Sequence, residues 1–234
     1  GIKLYPSRYQ NGRDLSMQLN EDTVRPVLEK AADMDIGTVG IHKFIPFATA
    51  PVKYFRIDDV EEAALAFPEL NFEVIHAGFS FLEETVFAMA SHDNVYANIE
   101  NTAHMACSRP KKFARSLGEM LYWAGPDRIV FSSGATALHP QPPIDAIWDF
   151  EMPEDLRDGE DYPEVTQEDK EKILGKNKLR LMGKDPEQVK KDIKGDKWDQ
   201  KIQELKENGE YPAPPWSTYE EPTDEASKER VKYV

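Results

Sequence analysis

The sequence alternates short apolar runs with amphipathic segments, at intervals of roughly thirty residues. The five apolar runs lie at residues 2–5, 38–41, 72–75, 94–99 and 129–132, and helix-patterned segments lie at 22–34, 57–67, 81–90, 110–124 and 167–182. Alternation of strands and helices is typical of a parallel sheet, because parallel strands require right-handed helical crossovers between them. We therefore predict an α/β fold with five parallel strands, and we interpret the stretch between residues 133 and 166 as a long loop.

Polar residues stand where each of these strands is expected to end. They are Lys3 with Tyr5, His42, His76, Asn98 with Glu100, and Ser132 with Ser133. The carboxyl ends of parallel strands open onto one mouth, and enzymes of this architecture carry their chemistry there. A single histidine at such a position is more often a hydrogen-bonded core residue than a ligand. Two histidines at matching strand ends leave the structural and the functional interpretation equally open.

Composition excludes several classes of function. The net charge of −14 argues against a nucleic-acid-binding or anionic-membrane surface. The single cysteine, Cys107, excludes an internal disulfide and a cysteine-rich metal site, which fits a reducing cytoplasm. No apolar stretch approaches the length of a transmembrane helix. We expect a cytoplasmic protein with neither a nucleic-acid partner nor a membrane partner.

Residues 184–234 differ in character from residues 1–183, and we predict that they form a separate region. Residues 185–208 are charged and compatible with a helix that Gly195 interrupts. The segment YPAPPWSTYEEP, residues 211–222, contains too many prolines for a helix or a central strand, and it is rich in aromatic residues. Such a segment suits an extended arm, which lies either on its own barrel or on a partner chain. We favour the partner chain, and hence an oligomer.

Six segments resemble the C-terminal part of a barrel of the amidohydrolase family, in the branch that contains aminocarboxymuconate-semialdehyde decarboxylase and γ-resorcylate decarboxylase. In order from strand four to strand eight and the closing helix, they are GIKLYPS, GIH, FEVIHAG, NVYANIENT, DRIVFSSGATALHPQPPIDAI and KILGKNKLRLMG. The resemblance covers residues 1–183. It implies a (β/α)8 TIM barrel of the metal-dependent hydrolase type, of which strands four to eight lie in this chain.

The resemblance also implies roles for individual residues. His42 corresponds to the strand-five histidine that binds a divalent metal, usually zinc. His76 corresponds to the strand-six histidine, which acts as a base or orients the metal-bound water. Such a metal polarises a carbonyl or carboxylate of the substrate. Lys3 is then the candidate partner of a substrate carboxylate, and Tyr5 and Ser133 are further candidate substrate contacts.

The sequence departs from the family pattern at two of the expected metal ligands. Gly134 occupies the place of the strand-eight aspartate, and the His-x-His pair of strand one is absent. His139 lies a few residues downstream and could substitute as a ligand. Its position beside Pro140, Pro142 and Pro143 favours a loop residue instead.

Two functions therefore remain open. The first is a metal-dependent hydrolase or non-oxidative decarboxylase that acts on a small carboxylate or cyclic substrate. The second is a catalytically degenerate subunit, without a metal, that is retained for assembly or scaffolding. In both cases, five strands of an eight-stranded barrel would leave open sheet edges. We expect another polypeptide or a missing N-terminal segment to complete the barrel, and rank an open sheet third.

Overall fold

The computed structural model describes residues 1–6, 9–45, 50–134 and 139–209. The chain divides into two compact units, Gly1–Pro186 and Glu187–Val234. In chain order, the strands of the first unit are β1 (Ile2–Leu4), β2 (Tyr9–Gln10), β3 (Arg13–Asp14), β4 (Thr38–His42), β5 (Asn71–Ile75), β6 (Val95–Asn98) and β7 (Ile129–Val130). Five of them form one parallel sheet in the order β1-β4-β5-β6-β7, as the alternating pattern predicts. The strands β2 and β3 form a small antiparallel hairpin that the sequence analysis missed.

The register of the sheet aligns the carboxyl ends of its central strands. His42 lies opposite Ile75, Ile75 lies opposite Asn98, and Asn98 lies opposite Val130. These four residues therefore form one row across the sheet. The residues that come directly after these four in the sequence all lie at the same edge of the sheet. This edge is where the mouth of a barrel would be.

Helices flank the sheet. They are α1 (Arg25–Asp33), α2 (Asp58–Ala66), α3 (Leu82–Ser91), α4 (Met105–Ser108), α5 (Pro110–Ala124), α6 (Gln141–Trp148), α7 (Glu154–Glu160), α8 (Gln167–Glu171) and α9 (Asn177–Leu181). In α5, Phe113, Leu117, Met120 and Leu121 repeat at helical spacing and are buried. Strand residues such as Ile41, Phe72 and Val74 complete the same apolar core.

The opposite face of the sheet is polar and lines an open groove of about 830 Å³. Glu73 and Asn98 lie on this face because side chains alternate along each strand. The Asn98 Nδ2 atom donates to Glu73 Oε2 at 2.8 Å and to Ser132 Oγ at 2.9 Å. Lys178 of α9 forms an ion pair with Glu73. The buried polar groups of this face thus find partners within the chain.

A π-helical turn, Lys172–Lys176, joins α8 to α9 and holds the β7 edge of the sheet. The backbone N–H of Phe131 donates to the carbonyl of Ile173 at 2.9 Å. The Asn177 side chain donates to the carbonyls of Pro126 and Ile129, both at 2.7 Å. Helix groups therefore satisfy polar backbone atoms along this edge.

The prediction of one long loop between residues 133 and 166 is wrong, since α6 and α7 lie within it. Prolines are tolerated in the first turn of a helix, where a backbone N–H has no intrahelical acceptor, and Pro142 and Pro143 occupy that turn of α6. Met152, Leu156 and Tyr162 then pack as a small apolar cluster with Ala114 of α5.

The described part of the second unit contains two helices. These are α10 (Pro186–Ile193) and α11 (Lys197–Glu207), and Gly195 between them has a φ of 76°. The Asp196 side chain caps α11 by accepting hydrogen bonds from the backbone N–H groups of Trp198 and Asp199. The predicted arm at residues 211–222 lies outside the described residues. Within the described ranges, none of the helices combines the length and the apolar character that crossing a membrane requires.

Candidate functional site

The two histidines predicted at strand ends are in direct contact. His42 is the last residue of β4, and His76 directly follows β5. The His76 Nε2 atom lies 3.0 Å from His42 Nδ1, and the rings are nearly perpendicular, with centroids 4.5 Å apart. Both residues are buried. The spacing of the strands therefore brings together the two residues in which the sequence analysis placed most of the chemistry.

The backbone at His76 has a conformation that is unusual for a residue with a side chain. Its φ is +70°, in the left-handed region. A left-handed residue other than glycine costs on the order of 1 kcal/mol, and it persists where its surroundings fix it. Ala77 and Phe79 form backbone hydrogen bonds on the far side of this turn. The strained residue is thus the one whose ring faces His42.

Backbone carbonyls fix the protonation pattern of the two rings. His42 Nε2 lies 2.8 Å from the carbonyl of Ile45, and His76 Nδ1 lies 3.1 Å from the carbonyl of Glu100. Because a carbonyl oxygen only accepts, both of these nitrogens carry hydrogens. In neutral rings the two facing nitrogens then both carry lone pairs. In these tautomers a shared proton or a bound cation would satisfy both nitrogens, whereas in the other tautomer of one ring its N–H donates to the facing ring.

Burial disfavours the proton. It lowers the pKa of His42, against the effect of the hydrogen bond to Ile45. It also lowers the pKa of His76 to about 4, and the neighbouring His42 acts in the same direction. Near neutral pH the rings are therefore uncharged. His42 and His76 are the described residues that would hold a metal cation, which would interact with their nitrogens without placing a proton on a buried imidazole.

Three further residues lie over the histidine pair. The Tyr5 ring stacks on the His42 ring, with centroids 5.2 Å apart. The Lys3 ammonium lies 5.1 Å from the centre of the Tyr5 ring and 3.4 Å from Glu100 Oε2. Because β4 and β5 lie between β1 and β6 in the sheet, the Lys3–Glu100 ion pair spans the ends of both histidine-bearing strands. Lys3 and Glu100 also line the groove, whereas neither histidine does.

The remaining predicted site residues have other contacts. The Ser133 carbonyl accepts a hydrogen bond from His104 Nε2 at 3.0 Å, and it is Ser132 that borders the groove. His139 is exposed, and its Nδ1 accepts from the backbone N–H of Gln141 at the start of α6, at 3.2 Å. The structure therefore places Lys3 and Tyr5 around the histidine pair, and shows backbone contacts for Ser133 and His139.

Gly134, the residue that we expect at the position of the family aspartate, has a left-handed backbone. Gly134 has a φ of +59°, and a Cβ atom there would lie 2.9 Å from Asn101 Oδ1. That distance is shorter than real Cβ contacts. The backbone and Asn101 would both have to shift to accept any side chain at position 134.

The donor set fits a divalent metal in its chemistry but is incomplete. Neutral imidazoles whose other nitrogen donates to a carbonyl are the usual form of metal-binding histidines. Catalytic zinc sites use three protein ligands. Within residues 1–6, 9–45, 50–134 and 139–209, no group of three histidine, cysteine, aspartate or glutamate residues is arranged to hold an ion. The described residues therefore supply two ligands.

A second buried polar pair lies beside the first, and the sequence analysis missed it. The Lys43 Nζ atom lies 2.7 Å from Asp59 Oδ1, and both side chains are completely buried. Lys43 also donates to the carbonyl of Tyr54, and Asp59 accepts from the backbone N–H of Leu19. The signal in the sequence is a lysine directly after an apolar strand, followed by an aspartate at the start of the next helix.

A parallel sheet with flanking helices and polar residues at the carboxyl ends of its strands is the arrangement expected of part of a (β/α) barrel. The family model described as Amidohydrolase matches residues 1–184. The chain belongs to the amidohydrolase family, which confirms the resemblance noted from its motifs.

Solved structures with similar folds are TIM-barrel proteins and confirm the predicted fold class. An uncharacterised TIM-barrel protein from Bordetella bronchiseptica has a TM-score of 0.56 at 16% identity, covering 78% of this chain and 57% of its own. A candidate metal-dependent hydrolase from Lactobacillus casei has a TM-score of 0.53 at 15% identity. The match covers 69% of this chain and 43% of the hydrolase chain. The structure of 2,6-dihydroxybenzoate decarboxylase from Rhizobium has a TM-score of 0.51 at 13% identity. The match covers 77% of this chain and 61% of the decarboxylase chain.

The chain thus spans between 43% and 61% of the length of these three structures. Among curated proteins, none matches the sequence significantly. That the five strands are strands four to eight of the barrel stays a prediction.

Proposed function

We propose that the chain contributes to the metal site of a hydrolase or non-oxidative decarboxylase that acts on a small carboxylate or cyclic substrate. The observation that carries the proposal is the pair of facing lone pairs on His42 and His76, 3.0 Å apart. Membership of the amidohydrolase family supports it. Zinc is the metal that we expect, because imidazole nitrogens are among its usual ligands.

His42 would bind the cation through Nδ1 and His76 through Nε2. When bound, the cation would polarise a carbonyl or carboxylate of the substrate. The base role expected for His76 uses the same Nε2 lone pair, so ligation and proton transfer are alternatives at one atom. The carbonyls of Ile45 and Glu100 hold the two rings in the tautomers that ligation requires.

Lys3 is the candidate residue for recognising a substrate carboxylate. Its side chain is 37% exposed and lines the groove together with Ser132 and Lys178. In the described conformation the ammonium of Lys3 is paired with Glu100. A substrate carboxylate would compete with Glu100 for Lys3, while the Tyr5 ring covers His42.

The proposed site needs strands and ligands beyond those described. The β1 strand forms one edge of the sheet, and its backbone can pair with a further strand. We propose that another polypeptide or a preceding segment provides the rest of the barrel. That polypeptide or segment would then contribute the remaining metal ligands.

Elemental analysis of the purified native assembly tests the metal. We expect about one equivalent of zinc or manganese per barrel, and its loss in His42→Ala. The matched control is His139→Ala, which removes an exposed histidine and should leave the metal content unchanged. Metal that persists in His42→Ala but is lost in His139→Ala would show that the site lies elsewhere.

The conformation of Gly134 favours a second candidate, a degenerate subunit with an assembly role. A Cβ at position 134 would lie 2.9 Å from Asn101 Oδ1, and such crowding is expected where no carboxylate ligand is needed at this position. Mass spectrometry of the same assembly separates the two candidates. A metal-free particle with a stoichiometric second protein would support the scaffold and contradict the enzyme.

A further inference from the structure

We infer that Asn98 is a positioning residue for the histidine pair. It fixes the backbone of Glu100, whose carbonyl then selects the tautomer of His76. With the hydrogen of His76 on Nδ1, the Nε2 lone pair faces His42. With the hydrogen on Nε2, His76 would donate to the His42 ring and could offer no lone pair to a cation. The inference deepens the proposed function and rests on it for this consequence.

The side-chain amide of Asn98 has a single orientation. Its Nδ2 donates to Glu73 Oε2 at 2.8 Å and to Ser132 Oγ at 2.9 Å, and its Oδ1 accepts from the N–H of Glu100 at 3.1 Å. Because an ionised carboxylate only accepts and a backbone N–H only donates, both contacts identify the same amide atom as the oxygen. Asn98 is also buried. Its oxygen is therefore directed at the Glu100 N–H.

The amide is anchored on the side opposite to the histidines. Glu73 lies on β5, is buried, and forms an ion pair with Lys178 of α9. A connected network runs from Lys178 through Glu73 to Asn98 at the end of β6. Functional groups that are held by helices and strands are positioned more precisely than groups on loops alone.

The backbone of Glu100 connects this network to the site. Glu100 follows the end of β6, and the side chain of Asn98 takes the place of a strand partner for its N–H. Its carbonyl accepts from the N–H of Thr102 at 2.7 Å and from His76 Nδ1 at 3.1 Å. These two donors use both lone pairs of the carbonyl oxygen. Glu100 is thus held at its N–H and at its C=O, and the C=O determines which nitrogen of His76 carries the hydrogen.

Nitrogen-15 NMR measures the tautomer directly. The full chain in its native assembly is labelled at histidine and studied near neutral pH with a chelator, and the His76 signals are those that His76→Gln lacks. We expect the Nδ1–H tautomer in wild type and a mixture with the Nε2–H tautomer in Asn98→Ala. In a calorimetric titration with zinc, we expect Asn98→Ala to bind about tenfold or more weakly, as after the loss of an outer-shell partner.

The matched control is Asn94→Ala, just before the start of β6. The Asn94 side chain donates to the carbonyls of Ala64, Phe67 and Leu70, so its loss also removes partly buried hydrogen bonds. It should destabilise the fold but leave the tautomer of His76 and the zinc affinity unchanged. Equal changes of the tautomer in both alanine variants would indicate a general loosening of the strand and would overturn the inference.

A double variant tests rescue. Asn98→Asp/Glu73→Gln exchanges the donor and the acceptor of one hydrogen bond, while the new carboxylate at position 98 still accepts from the N–H of Glu100. We expect the Nδ1–H tautomer of His76 in the double variant and a mixture in Asn98→Asp alone, where two carboxylates would face each other. Should Asn98→Ala not fold, this comparison decides, because the same tautomer population in both proteins would contradict the inference.

An unchanged tautomer of His76 in Asn98→Ala also overturns the inference. The proposed function then survives if wild type binds zinc and His42→Ala abolishes that binding. A wild-type assembly that binds no zinc contradicts the proposed function, whereas the tautomer measurement still decides whether Asn98 positions His76.

Discussion

Two adjacent residues at the end of β4, His42 and Lys43, enter buried polar pairs of different kinds. Lys43 faces the helix layer, and its ion pair with Asp59 has opposite charges at 2.7 Å with further hydrogen bonds to backbone groups. His42 faces the mouth, and its contact with His76 places two lone pairs 3.0 Å apart. The first pair is electrostatically complete within the chain. The second pair consists of two imidazoles, and in the tautomers set by the carbonyls of Ile45 and Glu100 a proton or a cation would complete it.

Two consecutive residues therefore have different roles. Lys43 has a structural role, and His42 has a proposed functional one. Buried ions that are paired and hydrogen-bonded cost little as long as both partners are present, and the removal of one partner is expensive. The two imidazoles of the histidine pair are bases whose facing nitrogens would also suit a bound cation. Substitutions in the Lys43–Asp59 pair should therefore change stability, and substitutions in the histidine pair should mainly change metal binding.

The largest expected change in the free energy of unfolding follows a substitution in the Lys43–Asp59 pair. Asp59→Asn keeps an acceptor for the N–H of Leu19 but leaves the buried ammonium of Lys43 without its counter-ion. We expect a loss of about 3–5 kcal/mol in the free energy of unfolding, measured by urea denaturation. The double variant Lys43→Met/Asp59→Asn removes the unpaired charge and should recover much of that loss. A double variant as unstable as the single one would show that the cost lies in packing.

A smaller effect is expected from the pH dependence of the metal-free histidine pair. The pKa of His76 is about 4 in the folded chain, below its ordinary value of 6.5, because burial disfavours the charged ring. The unfolded chain therefore binds more protons between these values, and stability falls as the pH falls from 6.5 to 4. By linkage, this contribution is at most on the order of 3 kcal/mol.

The measurement is the free energy of unfolding at several pH values with a chelator present. His76→Gln cannot titrate and should show a flatter curve than wild type over this range. Other groups titrate in both proteins, so the difference between the two curves is the relevant quantity. Parallel curves would contradict a depressed pKa of His76.

The smallest effect concerns Tyr5, which stacks on His42 and is 46% exposed. Aromatic pairs contribute about 0.5–1.5 kcal/mol, and exposure reduces that value. We expect Tyr5→Leu to lower the free energy of unfolding by less than about 1 kcal/mol, measured by urea denaturation. If Tyr5→Leu lowered the free energy of unfolding as much as Asp59→Asn, the role of Tyr5 would be structural, like that of Lys43 and Asp59.

The spacing of the apolar runs predicted the sheet and the convergence of the histidines, because parallel strands impose both. It could not predict the left-handed backbone at His76 and Gly134, which depends on contacts between residues far apart in the sequence. The rings' tautomers depend likewise on the carbonyls of Ile45 and Glu100. These details, which decide whether the pair can bind a cation, became visible only in three dimensions.

The Lys43–Asp59 pair illustrates a second limit. A lysine after an apolar strand normally extends into solvent. Its complete burial follows from the return of the chain through Tyr54 and the start of α2, which periodicity does not describe. The sequence analysis missed the helices α6 and α7 for a different reason. It interpreted the prolines of this stretch as helix breakers, although proline is compatible with the first turn of a helix.

The π-helical turn makes the two edges of the sheet unequal as sites for adding strands. On the β7 side, the Ile173 carbonyl and the Asn177 side chain already occupy backbone groups that an incoming strand would need. A strand that added there would first have to displace a helix, whereas β1 on the other side pairs with β4 alone. An added strand can therefore pair directly at β1, whereas closure of a barrel at β7 would first have to exchange these helix contacts.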